Sequence, residues 1–296
     1  IRITLLDTCY LQADATGRPV DGVQKRFSDG SWQQWAERVG RLEHTDMARV
    51  GAAIHSVRAV PREAMAPIAA FAAERDLPLH VHLSEQPAEN AACLDAFGMT
   101  PTALLAEEQV LGSRTTAVHA THLSDEDIAY LGKSRTSISM CCTTERDLAD
   151  GVGPAKRLAG AGSPVCAGSD AHMAIDLWEE ARAIELDERL VSGRRGHFRV
   201  GELAESITAS GAASIGWDAG VIEPGRLADL VTVRLDSPRT AGARTGDPLA
   251  HVIFAASGAD VDTLIVGGRP VVLGGRHVMV PEVGKRLEEA IDGVLG

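Results

Sequence analysis

Short apolar runs recur along the chain up to Trp217, each followed by a polar or glycine-bearing stretch and then by residues with helical spacing. The runs are Ile1-Arg-Ile-Thr-Leu-Leu-Asp7, Arg49-Val-Gly-Ala-Ala-Ile-His55, residues 77–83, 115–119 and 137–140, and residues 163–168. Runs this short, without strict alternation, read as strands buried on both faces. Between them the spacing predicts helices over 31–46, 61–75, 86–97, 101–111, 124 onward, 154–160, 175–191 and 199–215. Ser31 and Ser124 stand as N-caps, Asp127 lies in the first turn after Ser124, and Pro61 opens a first turn. Residues 11–30 are polar and glycine-rich, a loop on the face where strands end. Strands alternating with helices predict a parallel α/β sheet, in the manner of a (β/α)₈ TIM-like barrel.

After Trp217 the pattern changes. Val221 to Arg234 holds a Pro-Gly turn and a β-rich run, and His251-Val-Ile-Phe-Ala255 reads as another strand. Val261–Val266, the Gly267-Gly268 turn and Pro270–Val278 continue the pattern as antiparallel hairpins. The expected division is a barrel over 1–217 and a small β-sandwich over 218–296, closed by a helix at 281–294. The chain opens at Ile1, without Met, inside a strand-like run. A complete barrel needs earlier strands, so the sequence reads as the later part of one.

Composition narrows the class. With 296 residues and 45% hydrophobic content the chain can bury a large core, built from Ala, Val, Leu and Ile because aromatics are only 4%. A net charge of −12 argues against a nucleic-acid partner. No apolar run is long enough for a membrane span, and no basic-then-apolar leader is present. Five cysteines, Cys9, Cys93, Cys141, Cys142 and Cys166, form no paired framework. They read as reduced, buried side chains of a cytoplasmic enzyme.

The chemistry sits where the strands end. Pro78-Leu-His-Val-His-Leu-Ser-Glu85, Thr115-Thr-Ala-Val-His119 and Pro164-Val-Cys-Ala-Gly-Ser-Asp170 each run from apolar residues into a His or an acid. Side chains at the carboxyl ends of parallel strands face one pocket. Two imidazoles, a carboxylate and a nearby Glu suit a hydrolytic metal site with its own proton carrier. A single strand histidine is more often a satisfied core residue. Here three strand ends carry such residues, and a charged Asp170 at an apolar strand end is costly without a partner.

With these motifs in view, the chain resembles the amidohydrolase superfamily: His-x-His-x-x-Glu on one strand, a lone His on the next, Gly168-Ser-Asp-Ala-His172 on the last, and Pro224-Gly-Arg-Leu-Ala-Asp-Leu-Val231 leading the β-rich end. His82-Leu-Ser-Glu85 resembles the deaminase branch. Within it the chain is most similar to the formimidoylglutamate deiminases. The stretches that carry this closer match are Ala53–Val60, His80–Gln86, Val118–Leu123, Cys142–Gly151 and Gly168–His172.

That resemblance implies hydrolysis of N-formimino-L-glutamate to N-formyl-L-glutamate and ammonia, one Zn²⁺ per subunit, and a homodimer. It implies His82 and Asp170 as metal ligands, beside an H-x-H pair on a first barrel strand that this chain does not contain; His80-Val-His82 stands on a middle strand. Fe²⁺ or Mn²⁺ tolerates similar ligands. Asp170 takes the water proton, Glu85 carries it to the leaving nitrogen, and His119 polarises the attacked group. Arg58, with His55 and Tyr10, is the expected binding set for an anionic small molecule. His80 and His122 read as supporting residues, His172 as a contact to Asp170 or the attacking water, and Glu145 and Asp150 as loop-forming. Two other functions stay open: a deaminase of a nucleobase or triazine ring, and an inactive relative retained for interaction.

Overall fold

The computed structural model describes residues 1–170 and 175–296. Its first part alternates strands and helices. β1 (Ile3–Cys9) leads through a loop, with a 3₁₀ turn at Gly22–Arg26, to α1 (Trp32–Val39). β2 (Ala48–Ile54), α2 (Arg62–Glu74) and β3 (Leu79–Leu83) follow, then α3 (Pro87–Phe97), α4 (Pro101–Glu107) and β4 (Thr115–His119). Next come α5 (Asp125–Ser134), β5 (Ser137–Met140), α6 (Cys142–Asp147), α7 (Ala155–Ala161) and β6 (Val165–Ala167). All six strands pair in parallel and in chain order, β1 to β6, the arrangement of a barrel wall. The predicted caps form. Ser31 Oγ accepts from the Gln34 N–H at 3.3 Å, and Ser124 and Asp127 make a reciprocal capping box.

The C-terminal part holds α8 (Leu177–Ser192), α9 (Val200–Ser206), α10 (Ala209–Ser214), β7 (Leu230–Val233) and α11 (Pro248–Ala255). β8 (Val261–Val266), β9 (Arg269–Leu273), β10 (Arg276–His277) and α12 (Val283–Leu295) complete it. The last four strands form one antiparallel sheet, ordered β10-β9-β8-β7. Gly267 and Gly268 join β8 to β9 with φ of 56° and 76°, a pair of positive angles that suits glycine in a two-residue hairpin turn. Among the described residues this is a single layer where the sequence suggests a sandwich.

Four local expectations are corrected. The helix expected over 31–46 stops at Val39, because residues 41–47 are exposed and offer no apolar face to bury. The helix expected over 199–215 is two helices, broken where Thr208 leaves helical geometry (φ −123°, ψ −98°). His251–Ala255 is helical rather than extended. Asp247 caps it at the Ala250 N–H, Pro248 fills its first turn, and Ile253 is buried in the main core, with α11 lying on α8 and α9. A short apolar run is compatible with either period, and the Asp-Pro start decides it. Finally, Cys142–Asp147, expected as loop, forms α6.

The core lies between the parallel sheet and its helices, around Trp35, Ile54, Met65, Ile68, Leu83, Leu104, Leu131, Ile138 and Leu158. The start of the chain is tied to the segment that follows α10. Trp217 Nε1 donates to Thr4 Oγ1 at 3.0 Å, Arg2 pairs with Asp229 at 2.6 Å, and Arg49 lies over the Trp217 ring. Within the sheet, His80 Nε2 meets the Ser214 carbonyl at 2.8 Å, so α10 closes the sheet below the strand ends. No helix among the described residues is long and apolar enough to cross a membrane.

Candidate active site

The expected site residues meet at the carboxyl ends of β1 to β4 and β6. Four rings form a row: Tyr10 edge-on to His55 with centroids 4.7 Å apart, His55 to His82 at 5.1 Å, and His82 stacked on His119 at 5.7 Å. His82 Nδ1 lies 2.7 Å from the His55 carbonyl oxygen. A carbonyl only accepts, so Nδ1 carries a hydrogen, which leaves Nε2 as the nitrogen of His82 that a metal would take.

Three strand ends leave ordinary backbone geometry at the site. Ser84 (φ 50°), His119 (69°), Ala120 (52°) and Asp170 (45°) are all left-handed without being glycine. Such residues cost of order 1–3 kcal/mol each and gather at functional sites. At β4 the effect is directional. The register sets His119 beside Leu83, one position past His82, so regular alternation would send the two histidines to opposite faces. The left-handed turn at His119 brings its ring back over His82. Gly168 permits the matching approach of β6, since a Cβ there would lie 2.8 Å from Ser139 Oγ and 3.0 Å from Cys141 Sγ.

One ligand atom from each of Glu85, His119 and Asp170 lies within 4.8 Å of the others. His119 Nε2 is 3.7 Å from Glu85 Oε1 and 3.8 Å from Asp170 Oδ2, and its Nδ1 is 3.4 Å from Glu145 Oε1. Burial works against a charged His119, but Glu145, Glu85 and Asp170 outweigh it and raise its pKa. Glu145 acts there as a facing charge, because the Nδ1 atom has no formed hydrogen bond. Burial also raises the pKa of Glu85; Asp150 and Asp170 add to the rise, against His119 and His82. His55 is pushed down to about 4 by burial, then by His82 and Arg58. It is therefore a neutral ring at ordinary pH.

These groups fit a divalent cation: His82 offers Nε2, its Nδ1 being turned to the His55 carbonyl, and Asp170 a partly exposed carboxylate beside the His119–Glu85 pair. The tight cluster contains His119 and Glu85 with Asp170, whereas the sequence reading pairs Asp170 with His82. The stacked rings put His82 directly alongside.

Toward solvent, Arg58 is half-buried and makes no ion pair among the described residues; its carbonyl accepts from Gln12 Nε2 at 3.2 Å. Tyr10 is buried, and its hydroxyl accepts from Gln24 Nε2 at 3.0 Å, which pins the 11–30 loop over the site. His122 Nε2 donates to the Asp150 carbonyl at 2.6 Å, and His80 lies deeper in the sheet. His172 falls outside the described residues. Sequence reasoning missed two carboxyls. Glu145 reaches the back of His119 from α6. Glu89, on α3, accepts the Glu85 backbone N–H at 3.2 Å, while burial pushes its carboxyl up to about 7. The signal for Glu145 is its place one turn past the end of β5. For Glu89 it is the i, i+4 spacing from Glu85.

Comparison with known proteins agrees with this geometry. The amidohydrolase family profile matches residues 23–271. The formimidoylglutamate deiminase of Pseudomonas aeruginosa is 33% identical over 94% of this chain, which spans 63% of that protein. The 5'-deoxyadenosine deaminase of Methanothermobacter thermautotrophicus is 33% identical over 80% of the chain and 56% of its own length. Among solved structures, an amidohydrolase from Brucella melitensis superposes with a TM-score of 0.87 at 28% identity, over 99% of this chain and 66% of its own. An adenosine deaminase from Xanthomonas campestris with bound zinc shares the fold, with a TM-score of 0.82 at 23% identity, over 88% of this chain and 61% of its own.

Proposed function

The chain belongs to the amidohydrolase family, and we propose that its site hydrolyses N-formimino-L-glutamate to N-formyl-L-glutamate and ammonia, with one zinc ion per subunit. The observation that carries this reading is Arg58, a half-buried guanidinium without an ion pair among the described residues, within electrostatic reach of the neutral His55, whose ring stands in the row that runs through His82 to His119. An unpaired, partly desolvated guanidinium is costly in the free protein and is satisfied by a bidentate carboxylate. A linear amidine bearing carboxylates supplies one. The chain spans just under two thirds of the deiminase it resembles, and that likeness supports the same substrate class.

His82 and Asp170 would hold the zinc ion, which when bound supplies a Lewis acid and lowers the pKa of water toward neutrality. The remaining steps use this chain's own groups. Water adds its oxygen to the formimino carbon, and Asp170 takes the proton released. Glu85, whose pKa is raised, delivers a proton to the departing nitrogen. In its imidazolium form, which the raised pKa favours, His119 keeps Nδ1–H toward Glu145 and donates a hydrogen bond through Nε2 to the charge that develops between Glu85 and Asp170. As the carbon–nitrogen bond breaks, Asp170 passes the proton it took to the same nitrogen, and Glu85 takes the remaining hydroxyl proton and returns to its acid form. Ammonia leaves, and the C=O of the formyl product replaces C=NH. Arg58 and His55 hold the glutamate end, so that attack occurs in one orientation.

Ammonia release from N-formimino-L-glutamate, measured beside 5'-deoxyadenosine, tests the proposal. Release from the first and not the second supports it. Release only from 5'-deoxyadenosine would transfer the site to ring deamination, a reading favoured by the equal identity to the 5'-deoxyadenosine deaminase.

A further inference from the structure

The His119 ring is held from one side only. Its Nε2 faces Glu85 and Asp170, while Nδ1 is buried without a hydrogen-bond partner, 3.4 Å from Glu145 Oε1. Glu145 is itself buried, 2% exposed. It is fixed in place: Oε1 accepts the Cys141 N–H at 3.1 Å, and the Glu145 N–H donates to the Cys141 carbonyl at 2.9 Å. Because His119 has a left-handed backbone, strand alternation does not set the direction of its ring, and a side-chain anchor has to.

We propose that Glu145 is a positioning residue, which anchors His119 through Nδ1 and so fixes Nε2 as the nitrogen presented to the reacting centre. The carboxylate oxygen can only accept, so the contact selects the Nδ1–H tautomer of the neutral ring. A shift of a few tenths of an ångström brings the 3.4 Å separation to hydrogen-bond length. The same arrangement orients histidines that serve as ligands or as general acids and bases elsewhere. A buried carboxylate also needs such a donor, since one backbone N–H leaves most of its acceptor capacity unused. The assignment rests on the reading of His119 as the group that faces the reacting atoms.

Nitrogen-15 spectra of histidine-labelled protein, at a pH where the ring is neutral, test the anchor without any substrate; a His119→Gln variant assigns the signal. The wild type is expected in the Nδ1–H form, and Glu145→Ala is expected to lose that preference. In turnover, Glu145→Ala should lower kcat about 10- to 100-fold with KM nearly unchanged, and Glu145→Gln, which retains an acceptor oxygen, should recover most of the loss. An Nε2–H wild-type ring would overturn the proposal, even if Glu145→Ala does not fold. So would a tautomer and kcat unchanged in Glu145→Ala. If no substrate releases ammonia, the function proposed above fails, and the spectra still decide the role of Glu145.

Discussion

The imidazole rings of His82 and His119 stack with centroids 5.7 Å apart, although the strand register places His119 beside Leu83. Two left-handed residues in succession, His119 and Ala120, turn the ring across. The site therefore depends on local backbone strain.

That strain is measurable at Ala120, which is fully buried with φ of 52°. Glycine adopts this region without a Cβ penalty. Ala120→Gly is expected to leave stability unchanged or to raise it by up to ~1 kcal/mol. Ala117→Gly, in the middle of β4, should cost about 1 kcal/mol. Urea denaturation of both variants checks the contrast, and equal losses at the two positions would contradict it.

Glu89 predicts a pH-dependent stability. Its folded pKa, about 7, lies above the ordinary value of 4.5. Its contribution is thus fully present below pH 4.5 and is lost as pH rises through 7. Glu89→Gln keeps an acceptor for the Glu85 N–H and removes the titration. The variant should gain on the wild type between pH 4.5 and 7, by no more than roughly 3 kcal/mol, with a constant difference above. A difference that does not change with pH would contradict this.

Substrate anchoring by Arg58 predicts a selective defect. Arg58→Ala should lower kcat/KM for N-formimino-L-glutamate about 10- to 100-fold, mainly through KM. Arg58→Lys should recover little, because an ammonium cannot hold a carboxylate bidentately. Steady-state kinetics separate the two, and an unchanged KM in Arg58→Ala would remove Arg58 from the binding set.

Metal binding predicts a stability gain. Zinc at about a hundred times its Kd should stabilise the wild type by about 2.7 kcal/mol. A thermal melt with and without zinc should show a rise in Tm for the wild type and little for Asp170→Asn or His82→Ala. Equal rises in all three would place the ion elsewhere.

Much of this was legible in the chain. All six parallel strands coincide with short apolar runs, and His55, His82, His119 and Asp170 stand at or just beyond their ends, where topology brings them together. What was not legible depends on geometry that residue type does not encode. His119 faces His82 through a backbone angle, which no periodicity records. Glu145 looks like an ordinary helix-start acid until α6 delivers it behind the ring. Residues 252–255 are four apolar side chains in a row, a run that fits either period; the burial of Ile253, with α11 against α8 and α9, selects the helix.

The Trp217–Thr4 and His80–Ser214 bonds span 213 and 134 residues. A ribosome adding 5–20 residues per second reaches Trp217 roughly ten to forty seconds after Thr4 has been made. Until then β1 and the lower part of β3 lack the segment that closes them. Through that interval β1 and β3 stand without their cover, and their exposed edges are most vulnerable to mispairing.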